Sequence, residues 1–184
     1  MKTILMSIQP KWCELIASGE KTVEVRKTKP KLDVPFKCYI YQTKESKRRY
    51  TDHRFNSLFS EKTSYNSMGK VIGEFVCDKI YNITPHFDTP TFPNQYICGW
   101  EYGKDFDCLT FEELTSYMNG KKGYGYHISD LVIYDKPREL SEFFHACDKP
   151  RGTDCSVCLD RRENKCKSIT RPPQSWCYVE EGGE

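Results

Sequence analysis

At 184 residues, with 38% hydrophobic and 29% charged side chains, the chain can build one ordinary core plus an appendage, and two full domains would be tight. A formal net charge of +2 is too small for the whole-molecule field to hold a polyanion, so nucleic-acid binding would have to come from local patches. No window approaches the apolar length that crosses a bilayer, and the run Ile4-Leu5-Met6 is too short for the core of an export signal, so a soluble, cytoplasmic protein with no membrane partner is expected.

Residues 3–8 read as a first strand, Ile4, Met6 and Ile8 on one face and Leu5 on the other. Pro10 suits the first turn of a helix, where its missing N–H costs nothing. Trp12, Leu15 and Ile16 follow as one apolar stripe, and Gly19 fits the left-handed position after the last turn. From Thr22 the pattern changes to alternation: Val23 and Val25 on one face, Thr22, Glu24 and Arg26 on the other. Glu24 and Arg26 are thus within side-chain reach, with Lys21 delivered beside them by the turn. The group reads either as a solvated strand face with a weak ion pair or as a polar cluster at the mouth of a ligand cleft.

A basic loop, Lys27 to Lys31, precedes a strand at residues 36–41. Residues 42–68 carry few aliphatics and many Lys, Arg, Ser and Asn, which fits a long polar surface loop; its basic residues Lys44, Lys47, Arg48 and Arg49 and scattered aromatics also suit single-stranded nucleic acid. Residues 70–80 read as one strand, apolar on both parities. Glu74 sits within it and must be paired, as by Lys21 or Arg26 across the sheet, or else face water at the sheet rim. Residues 81–107, with Pro85, Pro90 and Pro93, read as a packed irregular connection. Thr110-x-x-Glu113 is a capping box for a helix bearing Phe111, Leu114, Tyr117 and Met118 and ending at Asn119-Gly120. Residues 124–134 return to strand composition, with His127 a core or rim residue, and Pro137 closes the region. Residues 140–146 read as a short helix burying Leu140, Phe143 and Phe144.

Gly19-x-Lys21-x-x-Glu24-x-Arg26 resembles the G-x-K-x-x-E-x-R signature of the ASCH domain family, and Ser7-Ile8-Gln9-Pro10 before the helix and the Gly69-led strand agree with it. The resemblance covers roughly residues 1–140. It implies an α+β fold: a small mixed, PUA-like β-barrel with two or three flanking helices. It also implies RNA or a nucleotide as partner, with Lys21, Thr22, Glu24, Arg26 and Glu74 as ligand-binding residues. Some bacterial ASCH proteins are amidohydrolases acting on N4-acetylcytidine through the motif lysine, a threonine and a distant glutamate. On that alternative the catalytic residues would be Lys21, Glu24 and Glu74, although Glu24 stands where the threonine is expected and Thr22 is only nearby.

Residues 141–184 lie outside the resemblance and form a cysteine-rich extension. Cys147, Cys155, Cys158 and Cys166, spaced C-x7-C-x2-C-x7-C in a polar stretch that cannot build its own core, suggest a structural zinc ion. His145 or Cys177 can replace an outer ligand, and reduced thiols or a redox pair are the alternatives. A zinc-stabilised interaction protein is therefore a third function class. Residues 169–180, with Pro172-Pro173, Trp176, Tyr178 and Val179, want burial and are expected to fold back on the barrel.

Overall fold

The structure is a computed structural model that describes residues 3–44, 68–86, 95–99, 108–146, 159–160, 165–166 and 168–181. In chain order the elements are β1 (Thr3–Ile8), α1 (Pro10–Ala17), β2 (Val23–Arg26), β3 (Phe36–Gln42), β4 (Val71–Cys77), β5 (Ile80–His86) and β6 (Gln95–Cys98). Then come α2 (Phe111–Met118), β7 (Gly123–His127), β8 (Ser129–Arg138), a 3₁₀ turn (Leu140–Glu142), β9 (Phe143–His145), β10 (Leu159–Asp160), β11 (Lys165–Cys166) and β12 (Trp176–Glu181). The class is α+β, with two α-helices among the described residues. Of the predicted 42–68 loop, residues 45–67 lie outside the described residues.

The described strands form separate sheets rather than one barrel. A six-stranded sheet has the order β8-β4-β3-β1-β12-β9 and a four-stranded sheet the order β2-β7-β5-β6, with β10-β11 a separate hairpin. A barrel requires the first and last strands to pair, and here β8 and β9 are distinct ends of one order and β2 and β6 of the other. The chain divides into two compact units: Met1–Cys13, Lys37–Glu74 and Val132–Glu184 form the first, Glu14–Phe36 and Phe75–Leu131 the second.

In the first unit β1 runs parallel to β3, Ile4 opposite Cys38 and Met6 opposite Ile40. On its other side it runs antiparallel to β12, Thr3 opposite Val179 and Met6 opposite Trp176. With strands on both flanks and covered faces, Ile4 to Ile8 are all buried, so the predicted alternation there is not expressed as exposure. Leu5, Tyr39, Tyr41, Val71, Leu140, Phe143, Ile169 and Val179 make this unit's core, Tyr39 meeting Phe143 edge-on at 4.9 Å between centroids. In the second unit α2 sets Leu114 and Met118 against Val25 and Ile83 of the four-stranded sheet. Its capping box forms as the sequence predicts: the Glu113 amide donates to Thr110 Oγ1 at 3.1 Å, and the Thr110 amide to Glu113 Oε2 at 3.0 Å.

Four local predictions differ from the structure. The single strand at 70–80 is two, broken at Asp78-Lys79, where the His127 amide donates to the Lys79 carbonyl at 3.0 Å. The irregular connection at 81–107 contains a hairpin, β5 paired with β6. Pro85 is tolerated there because the Gly99 amide donates to the Asn82 carbonyl, which makes Pro85–Tyr96 a non-hydrogen-bonded pair of the β5–β6 ladder, and on its other side β5 pairs with β7 only through Ile80 to Ile83. Likewise β8, at the end of its sheet, runs on through Pro137 instead of closing at it. The helix at 140–146 is one 3₁₀ turn followed by β9, because pairing with β12, Phe144 opposite Glu180 and His145 opposite Val179, outweighs the local apolar spacing.

Candidate functional site

The turn after α1 places the first site residue. Gly19 adopts φ +80°, a left-handed conformation glycine reaches without Cβ strain, and its amide donates to the Ile16 carbonyl at 3.0 Å. The Lys21 amide then donates to the Leu15 carbonyl at 2.8 Å, which anchors Lys21 against the helix end. β2 begins two residues later and pairs antiparallel with β7, Glu24 opposite Tyr126 and Arg26 opposite Tyr124. That register fixes the faces: Val23 and Val25 turn to the side packed by α2, while Glu24 and Arg26 share the other side with Tyr126 and Tyr124.

On that side the three charged residues meet. Arg26 Nη2 lies 2.9 Å from Glu24 Oε1 and Lys21 Nζ lies 3.6 Å from Glu24 Oε2. Lys21, Glu24 and Arg26 are only 2%, 5% and 8% exposed. The solvated-face reading is therefore set aside, and the cluster is also more enclosed than the open mouth the sequence suggested. Behind it the Tyr126 ring is fully buried; its hydroxyl donates to the Thr28 carbonyl at 2.8 Å and Phe36 meets it edge-on at 6.4 Å. These contacts pin the backbone just after Arg26. Thr22 is half-buried, its carbonyl accepting the Ile128 amide at 2.8 Å.

Glu74, the distant member of the expected set, belongs to the first unit. It takes the paired option, with partners the sequence did not single out: Lys37 Nζ at 2.7 Å from Oε1 and the Tyr134 hydroxyl at 2.6 Å from Oε2. Burial first, and then the hydrogen bond and charge of Glu74, push the Tyr134 hydroxyl well above its ordinary pKa, so it stays a donor.

The second unit also exposes cation–aromatic pairs that local sequence could not reveal. Lys27 Nζ lies 4.9 Å from the Tyr117 ring centroid, Lys29 Nζ 5.4 Å from that of Tyr124, and Lys79 Nζ 4.8 Å from that of Tyr81. Tyr81 further meets His127 edge-on at 6.3 Å, and His127 Nδ1 lies 2.6 Å from Asp78 Oδ1. No spacing rule joins residues 78 and 127; only the strand register does.

Of the expected metal ligands, Cys147, Cys155 and Cys158 lie outside the described residues, and Cys166 is described only as the residue of β11 paired with Leu159. Among the described residues no group of three or more His, Cys, Asp or Glu side chains could hold a metal ion. Among the described residues Cys13, Cys38, Cys77, Cys98, Cys108 and Cys177 are in no disulfide. Among the described residues no helix is long and apolar enough to cross a membrane.

With this geometry in hand, comparison with known proteins gives the class. Residues 6–89, which hold the end of β1, α1, the charged cluster and Glu74, match the model of the ASCH domain family. This stretch of the chain is an ASCH domain. Among solved structures, the chain is similar to ASCH from Zymomonas mobilis, at 21% identity over 75% of this chain and 73% of that one, with a TM-score of 0.47. It is similar too to a tyrosine-to-phenylalanine mutant of that protein (20% identity, 76% and 77% covered, TM-score 0.48) and a serine-to-alanine mutant (19%, 75% and 74%, 0.47). No match is found among curated proteins.

Proposed function

We propose that the chain binds RNA, or a modified nucleobase within it, with Lys21, Thr22, Glu24 and Arg26 as the recognition residues. The observation that carries this reading is the convergence of Lys21 and Arg26 on the carboxylate of Glu24 in a nearly water-free position. Burying ions is a poor way to add stability, since apolar residues of the same volume serve as well or better, so such a cluster is better explained by recognition. An ammonium, a carboxylate and a guanidinium fork held in fixed rotamers present donors and an acceptor to a base edge or phosphate. The exposed Lys–Tyr pairs at Lys27, Lys29 and Lys79 supply the cations and ring faces that single strands use. Membership of a family associated with RNA supports the same reading.

Fluorescence anisotropy with single-stranded RNA at several salt concentrations tests it. Affinity should fall with salt and drop by about tenfold or more in Arg26→Lys, which keeps the charge and loses the fork. Absence of RNA binding by the wild-type protein, or equal binding by Arg26→Lys and Lys21→Met, would overturn it.

A second reading is hydrolysis of an N4-acetylcytidine-like amide, favoured by the burial of Lys21, which gives a lysine the dry setting such chemistry requires. It ranks behind because Glu24 occupies the place of the hydroxyl nucleophile and engages that lysine. Release of cytidine from N4-acetylcytidine by wild type and not by Lys21→Met would raise it above binding. For the extension we propose a structural zinc on Cys147, Cys155, Cys158 and Cys166. What supports it is the C-x7-C-x2-C-x7-C spacing in a polar stretch that cannot build its own core. Metal analysis finding well under one zinc per chain would dismiss it.

A further inference from the structure

The first unit contains a hollow of about 660 Å³ that the preceding reading does not use. Its size falls among small-molecule sites, about 300–1,000 Å³. Tyr41, Leu140 and Ile169 line it and are buried members of that unit's core, so they form an apolar floor. Lys44, Glu139, Ser141 and Thr170 line it and are exposed, so they form a polar rim, to which half-buried Thr43 adds a second threonine hydroxyl.

Three segments are held together to make this shape. At the end of β3 the Gly69 amide donates to the Gln42 carbonyl at 2.8 Å and the Gln42 amide to the Lys70 carbonyl at 2.9 Å. Gly69 has φ +81°, and a Cβ there would stand 2.6 Å from Lys44 Cε, so the lysine stem lies across the glycine where any other residue would displace it. On the opposite side Lys70 Nζ pairs with Glu139 Oε1 at 2.9 Å, just before the 3₁₀ turn. The third segment is fixed by the Ile169 amide, which donates to the Phe143 carbonyl at 2.7 Å.

The chemistry of the lining narrows the guest. Glu139 has its counter-charge in Lys70, whereas Lys44 has no ion pair among the described residues. The rim is therefore cationic on balance. Burial, and then the charge of Glu139, keep the Tyr41 hydroxyl protonated as a donor. One ammonium with several hydroxyl groups matches the many acceptor lone pairs of a phosphate better than the two oxygens of a carboxylate.

We propose that this hollow binds a phosphorylated planar molecule of nucleoside monophosphate size, its ring on Tyr41, Leu140 and Ile169 and its phosphate at Lys44, Thr43 and Thr170. None of these residues belongs to the Lys21–Glu24–Arg26 cluster, so the proposal stands or falls independently of the RNA reading. The same chemistry arrives from two sources, a free mononucleotide or one unit of a single-stranded RNA.

Calorimetric titration of the full chain with CMP, AMP, their unphosphorylated nucleosides and a short single-stranded RNA tests it, in wild type, Lys44→Glu, Thr170→Trp and the exposed control Lys121→Met. Saturable mononucleotide binding that weakens about tenfold or more in Lys44→Glu and Thr170→Trp, and not in Lys121→Met, supports the proposal with free nucleotide as guest. The same pattern seen only with the oligonucleotide supports it with RNA as the source. Ser141→Trp, at a separate exposed rim position, repeats the test should Thr170→Trp lower the melting temperature. Failure of every probe to bind wild type, binding that these rim variants leave unchanged, or nucleosides binding as tightly as their monophosphates would overturn it.

Discussion

Two glutamates carry the contrast between the molecule's units. Glu24, in the second, is 6% exposed at its side chain and held between an ammonium and a guanidinium; Glu74, in the first, is 21% exposed and held by a lysine, itself 39% exposed, and a tyrosine hydroxyl. Water still shares the solvation of Glu74, so losing a partner there is partly made good by solvent. At Glu24 it is not. The difference teaches that an ion pair's worth follows the water left around it more than its N···O distance, since the shortest N···O contacts, 2.9 Å at Glu24 and 2.7 Å at Glu74, are similar.

The largest effect is therefore expected at the buried site. Glu24→Ala should lower the unfolding free energy by about 3–5 kcal/mol, because two cations are left without the carboxylate they share; denaturant melts measure it, and a loss as small as that of a surface pair would break the contrast. Tyr134→Phe, which removes one donor from half-exposed Glu74, should cost about 1.5 kcal/mol in the same experiment.

A smaller effect appears on the alkaline side. Burial pushes the Cys77 thiol up to about 12 and the Cys177 thiol up to about 11. Below the ordinary thiol pKa both the folded and unfolded chains keep these protons, and nothing is lost. Above it only the unfolded chain ionises, so stability should fall as pH rises, by roughly 1 kcal/mol per buried thiol at pH 10. Melts at pH 7, 9 and 10 follow this, and Cys77→Ala should flatten the slope.

The smallest effect lies at the Asp78–His127 pair. Burial alone would raise the Asp78 carboxyl, but the hydrogen bond and charge of His127 outweigh it and hold the carboxyl below its usual value. Its contribution is complete above the ordinary aspartate pKa and is lost as pH falls through the lowered one. Asp78→Asn should remove that acid-side decline and lower neutral-pH stability by the same small amount, as thermal melts from pH 7 to pH 3 would register.

Much of this was legible in the residues themselves. Pro10, the stripe Trp12–Leu15–Ile16 and Gly19 located α1 and its end, and Thr110 with Glu113 located α2, because helix signals act within a few residues of one another. The alternation at 22–26 foretold the side that Glu24 and Arg26 share. What the sequence withheld depends on distant partners. The apolar spacing of Leu140, Phe143 and Phe144 has a helical look until β12 arrives thirty-odd residues later. The partners of Glu74, at positions 37 and 134, have no sequence signature because they meet only through strand order β8-β4-β3.

That same order has an implication for synthesis. β1 leaves the ribosome well before β12, at residues 176–181, yet β12 is one of its two flanking strands. Until those residues emerge, the side of β1 meant for β12 and the matching side of β9 both remain unsatisfied edges, able to recruit other nascent chains. A stop codon ahead of Trp176 should then yield insoluble product rather than a shortened but working protein, making β12 a checkpoint on the synthesis of this fold.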